Sequence, residues 1–173
     1  MKTMPLWDYE SLWICSRNEG AMMATKKATA QDAQIIMQLY DLRREPVMRA
    51  ARKFMVSEFW PQSYEEFKAV LTGYGTEHNA YMRQVLTYWD MAAAMVLQGA
   101  VNEELFLQSN TEPYFLFTKF GSYLPQARND FLNPEFALNL EKLATRPAAR
   151  QRIKDFSTRL QARRAQAAAK GAR

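Results

Sequence analysis

TEHNAYMRQVLTYWDMAAAMVLQG, Thr76 to Gly99, decides the fold. Tyr81, Val85, Tyr88, Ala92, Met95 and Gly99 recur at spacings of three and four, which puts them on one stripe of a helix with about 3.6 residues per turn. Met82, Leu86, Trp89, Ala93, Val96 and Leu97 fill the flanks, and only a narrow polar strip remains: Asn79, Arg83, Thr87 and Asp90. A helix that is apolar over most of its circumference needs neighbours on nearly every side, so this element is expected at the centre of the core. Thr76 is the expected N-cap, with Glu77 where the helix dipole favours negative charge, and Gly99 supplies a left-handed residue to end the helix. The apolar run Met91 to Leu97 is far shorter than the roughly 20 residues of a membrane span, so the helix reads as a buried element of a soluble protein.

On the N-terminal side, two amphipathic segments precede it. One runs from about Thr29 to Arg44, with Ile35, Ile36, Leu39 and Leu42 expected inward and Gln31, Asp32, Gln34, Gln38 and Asp41 opposite. The next, about Glu45 to Phe59, opens on Pro46 and turns Val47, Met48, Ala51, Phe54, Met55 and Phe59 inward, leaving Arg49, Arg52 and Lys53 for solvent. Ser63 and Glu66 have capping-box spacing before a short helix, Tyr64 to Leu71. Gly73-Tyr74-Gly75 lacks the length, the following Lys-Ser/Thr and the preceding strand of a phosphate loop, so it is a turn.

On the C-terminal side, Asn102 starts one helix and Glu112-Pro113 another. The second carries Tyr114, Phe115, Phe117, Phe120 and Tyr123 and is expected to form the other wall of the core, against the central helix. Gly121 suits a close crossing, and Pro125 is expected to kink or divide this segment. Asn133-Pro134 reads as N-cap and first turn of a helix with Phe136, Leu140 and Leu143 inward. Pro147 opens a last helix whose stripe, Ala149, Ile153, Phe156 and Leu160, is expected to dock, with the remainder fraying into solvent. No segment alternates with period two between hairpin signals, so no sheet is expected.

The chain of 173 residues fits one domain with its own core. Residues 1–27 show no sustained period and no secretory signal, and read as a weakly structured extension, with 1–21 a product of start-site choice ahead of Met22 and Met23. Trp7, Leu12, Trp13 and Ile14 are apolar enough for part of it to dock on a groove. The bundle domain is placed at 28–160 and a basic tail at 161–173. The net charge of +5 is unevenly spread: from Arg146 onward nine Lys and Arg face only Asp155, so the rest of the chain carries about −3.

The lone Cys15 can form no internal disulfide, so nothing argues for secretion, and Cys-rich zinc sites are excluded. His78 is the only histidine, which removes di-iron bundles and histidine-dependent triads. Glu65-Glu66 and Glu103-Glu104 lie in helix first turns, where dipole effects explain them. Two candidate sites remain. Asn79, Arg83, Thr87 and Asp90 form either a ligand or interface strip or a solvated ridge, and Arg159, Arg163, Arg164 and Lys170 are the candidate basic contact. The tail has no aromatic residue after Phe156 for stacking bases and no recognition-helix pattern, which weakens the case for nucleic acid.

The segments YDLRREPVMRAARKFM, YEEFKAVL, LQGAVNEELF and NPEFALNLEKL, with a Gly-x-Val/Ile-x-Glu step after the central helix, resemble a bacterial helical family classed as a domain of unknown function. The resemblance spans about Ala30 to Leu143 and implies a helical fold without implying an activity. Some similar chains are membrane-tethered at the N-terminus, a feature not expected here.

The expectation is therefore an all-α, single-domain bundle of about six to eight helices around a central buried helix. The first functional reading is a non-enzymatic cytoplasmic scaffold or interaction module that binds another protein chain or a second copy of itself, without cofactor, metal or membrane. The second is a small-molecule sensor with a pocket between the central helix and the Tyr114–Tyr123 helix, oriented by Arg83 and Asp90. The third is weak nucleic-acid association through the basic C-terminal helix.

Overall fold

Short-range capping sets where most of the helices begin. The structure, a computed structural model, describes residues 27–131 and 133–171, with side chains not described at 164 and 166–171. Helices α1 (Ala30–Leu42), α2 (Pro46–Lys53), α3 (Tyr64–Thr72), α4 (Glu77–Leu97) and α5 (Glu103–Ser109) follow one another through short turns. Helices α6 (Glu112–Phe120), α7 (Leu124–Asp130), α8 (Leu138–Ala144) and α9 (Arg150–Gly171) complete the chain. No strand occurs among the described residues, and the fold is an all-α, single-domain bundle.

Thr29, Ser63, Thr76 and Asn102 each accept a hydrogen bond from a backbone N–H in the following first turn, so four starts follow from the local sequence. At Ser63 the return half of the capping box is displaced by one residue: Glu66 Oε2 accepts from Gln62 N at 2.8 Å. The proline at 46 begins α2 after a turn, so α1 and α2 are two separate helices. Beyond Lys53, α2 widens into a π-helical turn, Phe54–Glu58, closed by Phe59 N donating to Phe54 O at 2.8 Å.

The central helix is α4, and its deepest residues are Met82, Val85, Leu86, Trp89, Ala92, Ala93 and Val96. Both the stripe and the flanks read from spacing supply these residues, and Tyr81, Tyr88 and Met95 of the stripe, like Leu97 of the flank, are half-buried. The principal neighbours of α4 are α8 and α2, followed by α3. The aromatic helix α6 shares the core through Leu116 and Phe120 but packs chiefly on α9 and α8, so it is not the wall expected against α4.

Several inward assignments reverse. Leu42 and Val47 are exposed, whereas Asp32, expected outside, is buried, accepting from Thr29 N at 2.7 Å and from Asn102 N at 2.8 Å. Its carboxylate joins α1 to the start of α5, and those bonds replace the water it gives up. Arg52, expected in solvent, is paired with Glu112.

Asn133 does not cap α8. That helix starts four residues later than expected, after Ala137, which sits in the left-handed region at φ 51°. Arg128 Nε holds the preceding turn by donating to Phe136 O at 2.9 Å. At the other boundaries, Pro125 lies in the first turn of α7, which a 3-10 turn, Gly121–Tyr123, separates from α6. A Cβ on Gly121 would stand 2.9 Å from the Phe117 ring, so the glycine makes room for a ring of its own helix. The last helix continues past Leu160 to Gly171. Residues 1–26, including the expected extension and its apolar residues, lie outside the described residues.

Candidate functional site

The polar strip of α4 separates into two braces, one buried at Asn79 and one half-buried at Asp90, and one open groove. Asn79 is buried, and its Nδ2 donates to Val70 O at 3.1 Å and Leu71 O at 2.7 Å, closing the C-terminal end of α3. Asp90 points the other way: Oδ1 accepts from Leu140 N at 2.9 Å and Oδ2 from Asn139 Nδ2 at 3.0 Å. A carboxylate of α4 therefore does for α8 what an N-cap side chain does locally, because the first-turn N–H groups of a helix need an acceptor from somewhere.

Arg83 and Thr87 are exposed, and Thr87 Oγ1 donates to Arg83 O at 2.7 Å. Both border a shallow surface groove of about 650 Å³ that also includes Gly75, Thr76, Ala80 and Gln84. The strip is thus not one convergent site: Asn79 and Asp90 hold helix ends, and Arg83 and Thr87 face solvent.

A charged junction lies between α2, α4 and α6, built on Arg52, a residue expected in solvent. Arg52 Nε donates to Glu112 Oε1 at 2.9 Å, its terminal nitrogen reaches Oε2 at 2.5 Å, and Trp89 Nε1 donates to Oε1 at 3.0 Å. The hydrogen bond to Glu112 raises the Arg52 pKa above its ordinary value, burial opposing it. Beside them the Arg43 guanidinium stands 5.3 Å from the Trp89 ring centre and 5.4 Å from that of Tyr40, with its buried Nε lacking an acceptor. The Tyr88 hydroxyl donates to Leu39 O at 2.6 Å, and burial pushes its pKa up to about 12. One arginine and one indole occupy the Glu112 carboxylate. The available sequence signal was its place at the first turn of α6; its partner, sixty residues away, leaves no local trace.

The sole histidine, His78, is exposed and stacks on Phe54 with ring centres 4.3 Å apart. From Phe54 the aromatic contacts continue through Phe59, Phe120 and Phe67 to Tyr123, each step between 5.2 and 5.8 Å. Among the described residues no group of three or more His, Cys, Asp or Glu could hold a metal ion, and no helix is long and apolar enough to cross a membrane.

The candidate basic residues are spread along α9. Arg163 lies 3.9 Å from the Trp60 ring centre and Arg159 lies 6.0 Å from that of Phe156. The side chains of Arg164 and Lys170 lie outside those described. Behind Trp60 the buried Lys119 Nζ lies 3.7 Å from the same ring and donates to Met55 O at 2.7 Å, at the π-helical turn.

No curated protein and no solved structure matches the chain. A family model described as "Domain of unknown function (DUF4760)" matches residues 28–146, which takes in α1 through α8 and ends before α9. The chain belongs to the DUF4760 family, a helical domain of unknown function.

Proposed function

We propose that this chain is a non-enzymatic, cytoplasmic protein-interaction module that associates through the corner between α1 and α2. The observation that carries this reading is the exposure of four large apolar side chains there: Met37 at 59%, Tyr40 at 49%, Leu42 at 56% and Val47 at 52%. Met37 and Tyr40 lie one turn apart on α1, and Leu42, at its last position, and Val47, in the first turn of α2, continue the apolar surface across the corner. Tyrosine and arginine are the residue types that dominate protein interfaces. The same corner holds a groove of about 780 Å³ bordered by Gln38, Asp41, Leu42, Arg44 and Glu45.

The other two readings have less support. The sensor reading relied on Arg83 and Asp90 acting together, and Asp90 is committed to α8. The nucleic-acid reading relied on a free basic tail, and Arg163 is engaged with Trp60.

The test is light scattering across a micromolar concentration series. The wild type is expected to associate, whereas the Met37→Asp, Leu42→Asp double variant stays monomeric with an unchanged Tm, since both positions are exposed. A wild type that stays monomeric throughout, with the double variant indistinguishable from it, sinks the reading.

A further inference from the structure

We propose that the face of the body beneath α9 is a helix-binding groove, that α9 is its displaceable occupant in cis, and that it accepts in trans an amphipathic helix of the same pattern. This surface is separate from the α1–α2 corner and does not depend on that reading.

The division of the chain is the first observation. The family segment, 28–146, contains α1 to α8 and nearly all of the connected core, whereas among the described residues α9 contributes Ile153 alone to that core, with Phe156 packed on its edge. α9 is thus an added element laid on a domain that has its own interior.

The mode of attachment is the second. α9 packs chiefly on α6, through Ile153, Phe156 and Leu160, at i, i+3 and i+7. Phe156 meets Phe115 edge to face with ring centres 5.6 Å apart. An arginine fixes each end of the stripe. Arg152 donates to the carbonyls of Leu107 and Asn110 at the end of α5 and lies over the Tyr114 ring at 5.6 Å, and Arg163 stacks on Trp60. This is the i, i+3, i+7 anchor pattern by which amphipathic helices enter grooves on partner proteins.

The third observation is that bonds within the body hold the groove floor. Trp60 Nε1 donates to Ser57 O at 2.8 Å, and Lys119 Nζ donates to Met55 O at 2.7 Å and Val56 O at 3.2 Å while lying under the Trp60 ring. Phe115 meets Trp60 edge to face at 6.4 Å. None of these contacts uses α9, so the floor keeps its shape when α9 leaves, and a preformed floor favours a second occupant. The groove fits a helix with apolar residues at i, i+3 and i+7, an arginine one position before the first of them to cap α5, and another three positions beyond the last to cover Trp60.

The experiment uses a fluorescently labelled peptide of residues 150–163 and full-length protein. The Ile153→Asp, Leu160→Asp variant, whose own α9 is repelled from the groove, is expected to bind the peptide at least about tenfold more tightly than the wild type. A peptide carrying Phe156→Ala and Leu160→Ala is expected to bind neither protein. No binding to a variant that keeps its Tm, or equal binding to variant and wild type, overturns the proposal. Hydrogen exchange on the wild type keeps the idea testable if that variant fails to fold. Saturating peptide is expected to speed exchange of the α9 amides while leaving those of α4 unchanged, and unaltered α9 exchange overturns the displacement.

Discussion

Glu112 joins three elements with a single carboxylate: it sits in the first turn of α6, pairs with Arg52 of α2 and accepts the indole N–H of Trp89 from α4. Its side chain is only 10% exposed and that of Arg52 28%, so water replaces little of what either would lose. Breaking a buried pair by removing one partner costs about 3–5 kcal/mol, and the partial exposure of Arg52 puts Glu112→Ala at the lower end, about 3 kcal/mol. Glu112→Gln keeps an acceptor for the indole and loses only the charge, so it is expected to cost about half as much. Urea midpoints for the two variants check this; equal losses would mean that packing, and not charge, matters at this position. The pairing was invisible in the sequence because Arg52 lies on a helix with several cations and only the fold decides which of them meets a carboxylate. Leu42 and Asp32 illustrate the same limit: spacing assigns a face, but a side chain two turns along can find a different neighbour.

Among the helices, legibility follows the range of the interaction that fixes each boundary. Starts set by Ser63, Thr76 and Asn102 depend on a hydroxyl or amide within three residues and can be read directly. The start of α8 cannot, because its acceptor is Asp90, fifty residues earlier on another helix. The polar strip of α4 was legible as a set of residues, but its roles were not: Asn79 reaches back across the turn to the end of α3, and Asp90 reaches the start of α8, fifty residues on. This arrangement predicts a local defect. Asp90→Ala removes the acceptor from Leu140 N and Asn139 Nδ2, and is expected to cost about 1–2 kcal/mol, the usual range for a lost cap. Asp90→Asn retains one oxygen and is expected to cost less. Amide exchange at Leu138 to Leu140 should accelerate in Asp90→Ala while α3 stays protected, and an even loss of protection across the molecule would rule out a capping role.

For the whole molecule, the narrow polar strip of α4 marked a helix with neighbours on most sides, and the absence of period-two segments elsewhere marked an all-helical bundle around it. Which helices surround it was not legible: α8 and α2 do so, while the most aromatic helix, α6, turns its Phe115 toward α9. The same long-range contacts set how stability varies with pH, and the two ends of the scale involve different residues. On the acid side, Asp130 of α7 accepts from Lys68 Nζ at 2.7 Å and Tyr64 Oη at 2.9 Å on α3, and these bonds hold its pKa below the ordinary 3.8. The folded carboxylate resists protonation where the unfolded one does not, so the contribution is complete well above pH 3.8 and is lost as pH falls through the lower folded value. On the alkaline side the sign is opposite. Burial raises Tyr88 from 10.0 to about 12, so its contribution is complete below pH 10 and disappears as pH rises toward 12, where the unfolded chain releases a proton that the folded one retains. Chemical denaturation across pH is expected to show Asp130→Asn converging on the wild type in acid. The Tyr88→Phe variant, which has no phenol to titrate there, is expected to lose less stability than the wild type between pH 10 and 12. Parallel curves for Tyr88→Phe and wild type over that interval would mean that Tyr88 titrates as if exposed, contradicting its hydrogen bond to Leu39.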